Sequence, residues 1–251
     1  MKKEKHEART TAIAVRYLLL AAIVLLLMVC AAPSQAHNLW IVGDADNKGV
    51  GTVYLYFAHH VGPGDGSYFG PIEKNGKTWV RRPEGKPVPM FFKQITEGEN
   101  KYLAGSSGEV KSAPYAIDHT NLYGIYHGRL DFFHGRYIEA TDKKSLEALA
   151  ESPHLAVQIV PELKDDGLLL TVMYFSVPQP KVRMAVIGPD GVEKEYTANN
   201  KGELFLKTDK PGRYHIWALV FENQAAGAFE RQPFKGIMHG TTLSIKMPIE
   251  K

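Results

Sequence analysis

The chain has 251 residues, 44% apolar and 23% charged, an ordinary globular composition that excludes a disordered, collagenous or multi-span membrane protein. Its formal charge of +3 is local: residues 1–36 hold five cations and two acids, and the remaining 25 basic and 25 acidic side chains cancel. A nucleic-acid partner therefore has no electrostatic footprint.

The first 36 residues read as an export signal. A basic segment ends at Arg16, an apolar run covers 17–32, and Pro33 precedes the small-x-small site Ser34-Gln35-Ala36. Sixteen apolar residues at ~1.5 Å each reach about 24 Å, short of a ~30 Å hydrocarbon core. A cleaved signal and a periplasmic location are the expectation, with an uncleaved anchor as the alternative. Cleavage after Ala36 leaves a mature chain of 215 residues that starts at His37. The single cysteine, Cys30, lies in the leader, so the mature chain has no disulfide and no thiol chemistry.

Beyond residue 36 the periodicity is β. Residues 51–58 (GTVYLYFA) alternate, with Val53, Leu55 and Phe57 on one face and Tyr54 and Tyr56 on the other. Further strands are expected at 88–95, 122–126, 155–160, 168–175, 181–187, 202–206, 214–221 and 241–245. Turn chemistry separates them, as in Gly62-Pro63-Gly64-Asp65-Gly66 and Pro189-Asp190-Gly191. Residues 61–87 and 96–118, rich in Gly, Pro, Ser and Lys, read as long loops. One helix is expected over 142–152, capped by Thr141 or Asp142 and closed by Pro153. The pattern predicts an all-β protein of sandwich type. It divides into a signal peptide (1–36), an N-terminal β domain (37–140), a helical linker (141–154) and a C-terminal Ig-like sandwich (155–251).

Nine of the ten histidines lie in the mature chain, and neutral imidazole binds borderline transition metals. His37 is the sharpest candidate. As the first mature residue it offers an α-amine with a pKa near ~7.7–8.0 and an imidazole near ~6.5. Both can give up a proton to a competing ion and chelate it from one residue. His59-His60 ends the strand 51–58. In strand phase His59 continues the Phe57 face and His60 the tyrosine face, unless a twist makes both converge. Asp65, in the following turn, offers an oxygen ligand or orients an imidazole from behind. His215 reads as a satisfied sheet histidine and His154 as structural. His119, His127, His134 and His239 read as lying in or near turns. Tyr126-His127-Gly128-Arg129 is echoed by Phe133-His134-Gly135-Arg136, which reads as two similar turns.

Four features in this order resemble the periplasmic component family associated with ABC-type cobalt/nickel uptake. They are Ala36 followed by His37-Asn38-Leu39-Trp40-Ile41, then Phe57-Ala58-His59-His60 with its Gly/Asp turn, then 155–162, then the Ig-like stretch 182–214. The resemblance covers most of the mature chain. It departs at Ala58, where relatives often show Gly, at Gly43-Asp44, where they show a proline, and over 113–140. It implies two Ig-like or transthyretin-like modules, with His37, His59 and His60 as ligands of Ni²⁺ or Co²⁺; the terminal chelate by itself also suits Cu²⁺. The resemblance also implies a membrane metal transporter as partner rather than an enzymatic activity. Two rivals stand beside it. One is a non-metal module that binds glycans or an envelope protein through aromatic loops. The other is a copper-brace oxygenase built on His37.

Overall fold

The computed structural model describes residues 37–43, 51–106, 108–110 and 112–250. The leader, with Cys30 and the cleavage site, lies outside the described residues. His37–Lys251 forms one compact unit.

In chain order the elements begin with β1 (Asn38–Gly43), β2 (Thr52–Ala58), α1 (Gly70–Asn75), β3 (Gly76–Arg81), β4 (Val88–Met90), β5 (Lys93–Glu97) and β6 (Asn100–Ser106). Two long strands follow, β7 (Tyr115–Tyr126) and β8 (Arg129–Glu139), then α2 (Lys143–Leu149). The last part holds β9 (Val157–Lys164), β10 (Gly167–Tyr174), β11 (Val177–Pro178), β12 (Arg183–Ile187), β13 (Glu193–Thr197), β14 (Glu203–Lys207), β15 (Gly212–Phe229) and β16 (Gln232–Met247). The protein is all-β with short helices, of which α2 is the expected one. Its Asp142 side chain accepts from the Ser145 amide at 2.7 Å, and Ser145 Oγ accepts from the Asp142 amide at 3.1 Å. This reciprocal cap satisfies two donors that a helix start leaves open.

Among the described residues the strands form three sheets. The largest has the order β13-β12-β15-β16-β8-β7-β3-β4 and takes strands from both sides of α2. Its seam is the parallel pair β16–β8, with Ile237 opposite Leu130 and Ile245 opposite Ile138. A four-stranded sheet, β1-β2-β6-β5, packs on one face, and β9–β10 with β11 and β14 packs on the other. Sequence neighbours in a strand point to opposite faces. Accordingly Ile117 and Tyr137 join a core with Leu39, Leu55 and Phe57, whereas Ala116 and Ile138 join a core with Val157, Leu168 and Leu170. Each such fully buried aliphatic side chain contributes about 1.5–3 kcal/mol relative to exposure.

This arrangement explains where the sequence misled. β7 and β8 are central strands covered on both faces, so polar and apolar residues alternate without an exposed side. Buried His119 and His134 therefore sit inside strands, and buried His239 sits in β16. Of the two Tyr/Phe-His-Gly-Arg echoes, the first makes the β7–β8 turn, with His127 at φ 51°, and the second is mid-strand in β8. The expected loops 61–87 and 96–118 hold α1, β3 and β6. β3 is short and begins with Gly76 and Lys77, so its own pattern is weak. Pairing with β7 over Gly76–Arg81 makes it a strand.

Several polar residues buried in the central sheet are paired, while His119 Nε2 and Asn121 Oδ1 have no hydrogen-bond partner among the described residues. Arg81 and Arg136 both grip Asp118, Arg136 at 3.1 Å. The two arginines also donate to the Leu149 carbonyl, at 2.8 and 2.7 Å, closing the C-terminal end of α2. Burial alone would raise the Asp118 carboxyl, but Arg136 and Arg81 outweigh it and hold it below its ordinary range. His215 donates to or accepts from Ser244 Oγ at 2.8 Å, and His154 stacks on Trp79 with ring centroids 4.3 Å apart.

Candidate metal centre

The site grows out of the β1–β2 pair. The antiparallel register sets Leu39 opposite Phe57 and Asn38 opposite Ala58. The ladder ends there, and His37 and His59 flank its end, one residue beyond the last pair on each strand. Directly opposed residues share a face and bring their side chains within contact. The imidazole centroids are 4.1 Å apart, tilted by 44°. Trp40 anchors the pair: it is fully buried, and its indole Nε1 donates to the Ala58 carbonyl at 3.3 Å. The strand end carrying His59 is thus tied to the strand carrying His37.

Two aromatic rings steady His37. Phe57 lies 5.3 Å away in a stacked arrangement, and Tyr68 meets it edge-on at 5.0 Å. Sequence reading missed Tyr68. The sign available was its place three residues after Asp65 in the same turn. Partial burial pushes the His37 imidazole below its usual pKa, His59 pushes the same way, and Asp65 opposes them. A ring that resists protonation keeps its lone pair for a metal.

The Gly-rich turn folds back over the strand end. Gly64 packs so closely that a Cβ there would sit 3.0 Å from the Phe57 carbonyl oxygen and 3.2 Å from the Ala58 Cβ. Lys101 donates its amide to the Gly64 carbonyl at 2.8 Å, fixing the turn to β6. Asp65 accepts from the Ser67 amide at 2.9 Å. That bond, with the Ser67 side chain, holds the exposed carboxyl below its ordinary pKa, and its charge also acts on His37 and His59. Asp65 is therefore an anion beside the two imidazoles.

His60 goes elsewhere. It is exposed and packs near Gly62, and it lines a cleft with Arg213 and His215. The twist that would make both histidines converge does not occur. The structure brings together His37, His59 and the charge of Asp65. Among the described residues no three His, Cys, Asp or Glu side chains form a group that would hold an ion. The donor set is nevertheless nitrogen-rich and suits borderline transition metals better than Ca²⁺ or Mg²⁺, which take oxygen ligands.

No family model matches the chain, and no curated protein sequence matches it. Among solved structures it is similar to a pullulanase complexed with maltotriose from Anoxybacillus sp. LM18-11, at 10% identity over 73% of this chain and 24% of that one, TM-score 0.22. A second pullulanase structure from the same source gives 9% identity with the same coverage and TM-score. A tetra-tandem repeat in the extending region of a large adhesion protein gives 12% identity over 84% of this chain and 50% of that one, TM-score 0.24. The chain thus spans about a quarter of the pullulanase and half of the adhesion-protein chain, and likenesses at these scores carry no functional argument.

Proposed function

We propose that this is an exported transition-metal-binding protein serving Ni²⁺ or Co²⁺ acquisition or delivery. The His37 α-amine and imidazole and the His59 imidazole hold the ion. Asp65 acts as a charged neighbour rather than as a primary ligand, and positions left open take water, a small chelator or a membrane transporter. The single observation that supports this reading is the contact at the end of the β1–β2 pair, where the His37 and His59 ring centroids are 4.1 Å apart. Open positions suit transfer, because a fully enclosed ion leaves slowly. The nitrogen set also accepts Cu²⁺, which the general affinity order favours. The resemblance at Ala36–Ile41 and Phe57–His60 points to uptake rather than oxygenase chemistry.

The test is calorimetry with Ni²⁺, Co²⁺ and Cu²⁺ on protein recovered after export, its N-terminus established by mass spectrometry. A version with one extra residue before His37 should lose about tenfold or more in affinity, because the amine no longer chelates with its own imidazole. Equal affinity in the two versions removes the amine from the site, and no binding in either removes the function.

A further inference from the structure

Two side chains of β7 carry polar atoms into the core without a protein partner. His119 and Asn121 are two residues apart in the strand, so their side chains share a face. Each is 1% exposed. His119 Nδ1 is engaged by Thr78 Oγ1 at 2.8 Å, and Asn121 Nδ2 donates to the Pro71 and Ile72 carbonyls at 2.9 and 3.2 Å. Both of those carbonyls can only accept, which fixes the amide with its oxygen on the other side. His119 Nε2 and Asn121 Oδ1 are left, and no described residue pairs with either. Buried polar atoms in folded proteins are rarely left so.

The two atoms converge on a helix end. The Ile72 carbonyl is one of the four at the C-terminus of α1 that the helix itself leaves open. β3 starts directly after α1 with Gly76, which is opposite Asn121 in the ladder. A Cβ on Gly76 would lie 2.8 Å from the Ile72 carbonyl oxygen and 3.0 Å from His119 Nε2, so those two atoms are near neighbours. The face that His119 shares with Ile117 packs into the core that holds Phe69 and Ile72.

The donor and acceptor roles select the occupant. Asn121 Oδ1 and the Ile72 carbonyl need a proton donor. His119 is neutral at pH 7, because burial pushes its pKa down to about 3, and its Nε2 donates or accepts according to the tautomer. Water has two protons to give and lone pairs to receive one, so it satisfies all three atoms in either tautomer and makes the three bonds usual for an internal water. A metal ion has no proton to give. Every group here is neutral, so an ion would also be buried without counter-charge.

We propose that one ordered water is a resident part of this fold, bound between His119 Nε2, Asn121 Oδ1 and the Ile72 carbonyl, and that it closes the end of α1 onto β7. The bridge holds the segment that follows Tyr68, the ring that meets His37 edge-on. It does not depend on the metal reading.

The experiment uses the purified protein with no metal added. A high-resolution crystal structure should show a solvent peak at about 2.7–3.2 Å from each of the three atoms. In solution, NMR should show cross-relaxation between a long-lived water and both the His119 Hε1 and the Asn121 Hδ2 protons. His119→Phe, whose apolar ring has no nitrogen, should lose the peak and the cross-relaxation together. If that variant does not fold, the wild-type measurements decide alone. A dry site, a direct bond from His119 Nε2 to Asn121 Oδ1, or a peak with anomalous scattering from a metal overturns the proposal.

Discussion

Two groups of histidines in this protein have opposite fates. In the central sheet, Thr120, His134, His239 and Glu222 form a chain: Thr120 Oγ1 to His134 Nδ1 at 3.0 Å, His134 Nε2 to His239 Nδ1 at 3.2 Å, and His239 Nε2 to Glu222 Oε1 at 3.0 Å. The carboxylate can only accept, so His239 Nε2 carries the proton and its Nδ1 accepts from His134. His134 Nδ1 then accepts from the Thr120 hydroxyl. Tyr174 adds a second donor to Glu222 at 2.6 Å. Every ring nitrogen of the chain is used, and both rings are nearly inaccessible. At the β1–β2 end, His37 and His59 meet near the surface, held by aromatic contacts. The lesson is that a histidine becomes a ligand candidate when packing fixes its ring and leaves a nitrogen uncommitted. Proximity of two imidazoles is not enough.

The comparison is broken most sharply in the buried chain. His134→Ala should cost about 3 kcal/mol, from the cavity plus the stranded Thr120 hydroxyl and His239 Nδ1, read as a shift in urea midpoint. Metal affinity should not change, and a variant that kept its stability and lost the metal would reverse the assignment. Acid gives a second, comparable effect. Burial, and His239 beside it, lower the His134 pKa from 6.5 to about 3, so the folded state binds fewer protons than the unfolded chain. The stabilisation is complete above pH ~6.5 and falls as the pH drops toward about 3. Equilibrium unfolding in wild type should weaken over that window by more than in a His134→Gln variant.

The surface pair sharpens the contrast. His59→Ala should leave stability within about 0.5 kcal/mol, because the side chain is exposed, yet reduce affinity for Ni²⁺ by about 100-fold. Loss of stability without loss of metal would make His59 a structural residue. Asp65→Asn should have the smallest effect, about a tenfold loss of affinity, since it removes a charge beside the imidazoles but keeps the side-chain oxygen that accepts from Ser67. An unchanged affinity would confine Asp65 to the turn.

Much of this was legible from the residues. Alternation at 51–58 put His59 in phase with Phe57, and both rings lie against His37; the expected cap was Thr141 or Asp142, and Asp142 provides it. What was hidden is the burial of His119, His134 and His239 inside strands. Their strands are covered on both faces, which erases the period-2 signal, and their partners come from distant chain segments. His134 and His239 are 105 residues apart. The β1–β2 register was hidden for a related reason, since pairing depends on a partner strand and not on either strand's own pattern.

The sequence by itself determined that the fold is β and that one helix begins at Thr141 or Asp142, and it set the expectation of an export leader ending at Ala36. Those features are local: side-chain alternation, cap hydrogen bonds and an apolar run act over a few residues. Only the tertiary structure decided which histidines are spent on internal hydrogen bonds, that His60 turns away to the cleft while His59 meets His37, and that Gly64 folds Asp65 back toward them. These depend on which backbone lies opposite which, and that is set by burying two cores against one central sheet.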